Sequence, residues 1–91
     1  MKAYELLAPE GAWCQGAAAK DRDGEVVGYT SPNAVAFCLV GAMYKCNDSI
    51  PDQDRLLLKI KRRIGHRCGD WNDAPERTQA EVVALLKELD I

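Results

Sequence analysis

The sequence predicts a mainly α domain: about four helices around one buried central helix, Pro32 to Cys46, with a small β-hairpin at about residues 16–29. Three observations carry this reading. The stretch Ser31 to Cys46, SPNAVAFCLVGAMYKC, is apolar on nearly every side at helical spacing, and a helix without a polar face must be covered by the rest of the chain. Two further stretches, one holding Leu56, Leu57, Ile60 and Ile64 and one holding Val82, Leu85, Leu86 and Leu89, repeat apolar residues at steps of three and four. Each therefore presents one core-facing stripe. The composition, 47% hydrophobic and 29% charged over 91 residues, is that of one ordinary globular domain spanning residues 1–91.

Taken in order, Lys2 to Ala8 reads as a short helix with Leu6 and Leu7 inward, ended by Pro9 and Gly11, and Trp13 follows as a plug for the core. In the segment after it, Asp21-Arg22-Asp23-Gly24 suits a type I turn closing with Gly in the left-handed region, which joins two short strands. Ser31 and Pro32 fit the cap and first position of the central helix. About a dozen apolar residues are too few to cross a bilayer, which takes roughly 20. Ser49 and Asp52 resemble a cap for the next helix, which is expected to run to about His66, weakened by Gly65 and stopped by Gly69. Asp70 to Pro75 reads as a turn-rich connector. Thr78 with Glu81 three residues on is a capping-box pattern that opens the last helix.

Four cysteines allow three disulfide connectivities. Cys38 and Cys46, eight residues apart on one expected helix, lie about 12 Å apart, beyond disulfide reach. The first residues, MKAYELLAPEGAW, carry no apolar signal core, so the expectation is a cytoplasmic protein with reduced cysteines and no membrane association.

Trp13-Cys14-Gln15-Gly16, then Ala34, Cys38, Gly41 and Ala42, and finally Trp71-Asn72-Asp73-Ala74-Pro75-Glu76-Arg77-Thr78 stand in a W-x-Q-G, A-x-x-x-C-x-x-G-A, W-N-D-x-P-x-R-T order across nearly the whole chain. This resembles a family of small bacterial and phage proteins classed as a domain of unknown function. The resemblance implies a compact, mostly helical domain and supplies no activity, substrate or catalytic residue.

Chemistry is thinly signalled. Zinc sites draw ligands from close Cys and His pairs, whereas the only close pair here is His66-x-Cys68, with Cys14, Cys38 and Cys46 scattered. No metal or other cofactor is expected. No phosphate-binding glycine loop occurs. A cysteine nucleophile would need His66, the only histidine, beside Cys14 or Cys68, with Asp70 or Asp73 as orienter. Trp71, Asn72 and Asp73 form the most distinctive polar cluster, either a ligand site or, as is commoner for such residues, a core tryptophan with two turn-pinning side chains. Arg55, Lys59, Arg62, Arg63 and His66 recur at steps of three and four as a basic helix face, in a chain of formal net charge −2. Such a face is either a solvated surface or a partner surface. The favoured expectation is a small non-enzymatic binding or regulatory module acting through a protein partner or self-association. Two alternatives stand beside it: a nucleic-acid-binding module using the basic face 55–67, and a small cysteine-dependent enzyme. Against nucleic acid, the aromatic residues lie outside the basic helix instead of being interleaved with it.

Overall fold

The computed structural model describes all 91 residues, Met1 to Ile91. Five helices and three two-residue strands follow in the order α1 (Ala3–Leu7), β1 (Ala19–Lys20), β2 (Val26–Val27), β3 (Ala36–Phe37), α2 (Leu39–Cys46), α3 (Ile50–Ile64), α4 (Cys68–Asp73) and α5 (Gln79–Glu88). No helix is long and apolar enough to cross a membrane.

The predicted hairpin forms. β1 pairs antiparallel with β2, Ala19 opposite Val27 and Lys20 opposite Val26. Its turn is held by the Asp21 carboxylate, which accepts from the Asp23 and Glu25 amides at 2.9 Å each, while Gly24 takes φ +80°. Only glycine adopts that conformation without strain.

The central helix starts later than its apolar pattern suggests. Pro32 to Cys38 is not helical: Ser31 to Ala34 form a turn in which the Ser31 hydroxyl accepts from the Asn33 amide, and Ala36–Phe37 forms the third strand, antiparallel to β1. The reason lies in the backbone donors. Val35, Phe37 and Cys38 give their N–H groups to Lys20, Ala12 and Ala18 carbonyls at 2.9, 2.9 and 3.0 Å, so those amides are unavailable to a helix. α2 therefore begins after Cys38, whose sulfur caps it by accepting from the Gly41 amide at 3.2 Å.

Shortened to eight residues, α2 is still the hub. Leu39, Ala42 and Met43 are fully buried, and the helix packs against α1, α3, α4 and β3. Gly41 permits the closest approach, because a Cβ there would lie 2.0 Å from the Ala18 carbonyl oxygen.

α3 is capped by the Ser49 hydroxyl, which accepts from Asp52 N–H, and buries Leu56 and Ile60 as predicted. It ends at Ile64, with Gly65 left-handed at φ +71°, so Gly65 and not Gly69 is its terminator and His66 lies beyond the helix. The expected connector is instead a fifth helix, α4, which ends before Pro75, where the residue ahead of proline is driven out of helical conformation. α5 carries the predicted capping box between Thr78 and Glu81. Its C-terminus reverses through Asp90 at φ 56°, with Ile91 N–H donating to Leu86 O and Asp90 N–H to Lys87 O. This doubly bonded reversal drops Ile91, 2% exposed, into the core.

Candidate functional site

The W-x-Q-G and W-N-D-x-P-x-R-T residues meet at one corner of the fold, around Asn72. Its side chain is fully buried. Oδ1 accepts from the Trp13 indole N–H at 2.7 Å and from Leu39 N–H at 3.0 Å, and Nδ2 donates to Cys14 O at 3.1 Å and to Asp73 Oδ1 at 2.9 Å. The same Asp73 oxygen accepts from Gly16 N–H at 3.0 Å. Gln15 donates to the Asn72 and Ala74 carbonyls, and Arg77 reaches back from the start of α5 to the Trp71 carbonyl with its guanidinium 3.8 Å over the Trp71 ring. α4 thus clasps the Trp13–Gly16 segment and the first turn of α2.

The cluster's two-sided expectation resolves in detail. Trp71 is half-buried under Arg77 and packs against the edge of the core, while Asn72 is the fully buried member. Asn72 and Asp73 pin a segment almost sixty residues away and leave the turn ahead of α5 to Arg77 and the capping box. With every lone pair and N–H of Asn72 engaged, Asn72 itself offers no free polar group to a ligand.

The basic face divides. Lys59 Nζ donates to Leu89 O, Arg63 pairs with Glu88, and Arg55 lies 3.5 Å from Asp52. Three of its cations are spent inside the chain. Arg62 and His66 are exposed with no partner, and so are Lys61 and Arg67. Lys61 and Arg67 stand at the rim of a groove of about 310 Å³ between α2, α3 and the start of α4, floored by Val40, Tyr44, Leu57 and Cys68. Leu58, 47% exposed, precedes Lys61 and Arg62 by three and four residues and extends the same surface.

A family model described as a family of unknown function, DUF6197, matches residues 1–89. The chain belongs to this family. No curated protein and no solved structure matches alongside it.

In this DUF6197 domain all four thiols are held protonated more firmly than a free cysteine. Burial pushes the Cys14 thiol up to about 11, with neighbouring Cys38 adding to the rise. Cys38, Cys46 and Cys68 are likewise raised, burial being the largest cause in each. An activated cysteine needs the opposite shift. His66 hydrogen-bonds to none of them, and Asp73 is engaged with Gly16 and Asn72.

Sequence reasoning placed Gln15 and Arg77 in the family pattern without giving either a role, and it missed the groove. Gln15 and Arg77 act on main-chain carbonyls, which have no signature in the sequence. The groove's signal was available in Lys61 and Arg67, basic residues off the regular face, flanking the apolar pair Leu57-Leu58.

Proposed function

We propose that this DUF6197 domain is a non-enzymatic binding module that docks an acidic protein segment carrying an apolar anchor. The observation that carries the reading is the groove between α2, α3 and α4. Its floor is apolar, and the two cations at its rim, Lys61 and Arg67, are used by no other part of the fold. A lysine or arginine held beside apolar surface without a carboxylate partner favours a ligand that supplies one. The raised thiols and the saturated Asn72 support binding over catalysis.

The test is a titration of isotope-labelled protein with short peptides of matched length, one Asp/Glu-rich with a central Leu or Phe, one lacking the apolar residue, and one basic. Amide shifts for the first alone, concentrated at Val40, Tyr44, Leu57, Lys61 and Arg67 and lost in a Lys61→Glu, Arg67→Glu variant, are expected. Duplex and single-stranded DNA and RNA at low salt form the counter-experiment. Micromolar nucleic-acid binding abolished by Arg62→Glu, Arg63→Glu would replace this reading with the nucleic-acid one.

A further inference from the structure

Cys14 and Cys38 are brought together by backbone pairing. Trp13 and Phe37 form a parallel bridge, with Phe37 N–H donating to Ala12 O at 2.9 Å and Cys14 N–H to Phe37 O at 3.0 Å. One residue further along both chains, Cys14 and Cys38 stand opposite each other. Adjacent strands run about 5 Å apart, and residues in register on parallel strands point to the same side, so the two Cα atoms fall within the range a disulfide spans. Both residues are tied to the Ala17–Ala18 turn: the Cys14 thiol donates to Ala17 O at 3.7 Å, and the Cys38 main-chain N–H donates to Ala18 O at 3.0 Å. Both residues are half-buried and thus reachable by a small reagent.

We propose that Cys14 and Cys38 form an oxidisable dithiol, which a low-molecular-weight disulfide such as oxidised glutathione converts into an internal disulfide joining the Trp13–Gly16 segment to the start of α2. Cys38 is the attacking thiol, because its sulfur already accepts from the Gly41 amide at the helix N-terminus, where negative charge is favoured. After losing its proton to solvent, it attacks one sulfur of oxidised glutathione and expels a glutathione thiolate. Cys14, deprotonated in turn, attacks the Cys38 sulfur of the mixed disulfide and expels the second thiolate. Two protein thiols are oxidised, one glutathione disulfide is reduced to two thiols, and two protons pass through water to them. Burial holds both thiols protonated at neutral pH, so the exchange is slow there and accelerates with rising pH.

The experiment treats the folded full-length chain with excess oxidised glutathione at pH 8, followed by alkylation, intact mass and proteolytic mapping. The expected result is a fall from four free thiols to two, a mass lower by about 2 Da, a single cross-linked pair Cys14–Cys38, and reversal by dithiothreitol. A Cys46→Ser, Cys68→Ser variant gives the same product, and Cys38→Ser gives none. The cross-link closes a loop of about two dozen residues and raises the melting temperature by several degrees. Four unreacted thiols, stable mixed disulfides on Cys14 or Cys38, or a cross-link through Cys46 or Cys68 would each overturn the proposal. Peptide docking in the groove is read separately, so either proposal can fail alone.

Discussion

A primary amide offers two lone pairs and two N–H groups, and Asn72 uses all four, to the Trp13 indole, Leu39 N–H, Cys14 O and Asp73. Asn72→Leu keeps the branched shape with somewhat greater bulk and removes every one of these bonds. The Trp13 and Leu39 donors and the Cys14 acceptor then lose their partner, Leu39 N–H at a buried site and the other two at part-buried ones, at about 1–3 kcal/mol each. The expected loss is about 3–5 kcal/mol, a large part of the roughly 5–15 kcal/mol that holds a small domain together. It is measured as a lower urea midpoint at unchanged slope. A variant within 1 kcal/mol of wild type would show that water replaces the clasp. Little of this was legible in the sequence. Trp71-Asn72-Asp73 stood out as a polar cluster, but three of the four groups bonded to Asn72 lie 33 to 59 residues away, and two of those are main-chain atoms that every residue possesses. Residue types at a spacing reveal a site only where side chains carry it.

At the scale of elements, legibility followed periodicity and caps. α3 and α5 were plain because three- and four-residue steps have one reading, and the 21–24 turn because Asp and Gly have strong local preferences. Ala34 to Cys38 was misread because a continuous apolar run is equally a buried strand or a buried helix, and β1 and the Ala12–Cys14 segment decide for strand by taking its amides. The start of α2 then depends on Gly41. Gly41→Ala forces a Cβ to 2.0 Å from a main-chain oxygen that also accepts the Cys38 amide. Either the hairpin or the helix must shift, which is expected to cost at least about 2–3 kcal/mol, seen as a melting-temperature drop. Gly69→Ala, with open space around it, serves as the control. The capping box makes a different prediction. Glu81 is held below its ordinary 4.5, first by the Thr78 hydroxyl and then by Arg77. A depressed carboxylate contributes stability above its unfolded pKa and loses it as pH falls through the lower folded value. Melting temperature should therefore fall below about pH 4.5, and Glu81→Gln should flatten part of that decline while lowering stability at pH 7. An unchanged acid limb in Glu81→Gln would place the acid sensitivity elsewhere, with Arg63–Glu88 the next pair to test, since Glu88 is also depressed, chiefly by its hydrogen bond to Arg63.

For the whole molecule, the tie between the two ends of the chain is the contact of longest sequence range. α1 packs on α5. Ala3 N–H donates to Ile91 O at 2.6 Å, Lys2 Nζ to Asp90 O at 2.9 Å, and Lys59 Nζ to Leu89 O at 2.6 Å, while Gln79 on α5 donates to the Leu7 and Pro9 carbonyls. The sequence announced Leu89 as the end of a stripe, but not that Asp90 would turn left-handed and seat Ile91 in the core. Removing Leu89, Asp90 and Ile91 deletes one buried and one half-buried aliphatic side chain, worth about 3–4 kcal/mol together, and strips the carbonyls that α1 and α3 use. For a domain of this size each kcal/mol moves the midpoint by about 4–8 °C, so the shortened chain should melt at least about 12 °C lower. Asp90→Gly tests the same turn from the other side. Glycine takes φ 56° without the penalty a Cβ brings there, and the Lys2–Asp90 pair that is lost is exposed and contributes little. Asp90→Gly is therefore expected to gain about 0.5–1 kcal/mol. If the shortened chain melted within about 2 °C of the full one, against that 4–8 °C per kcal/mol, the ends would lie outside the cooperative unit, and Asp90→Gly would then leave the midpoint unmoved as well.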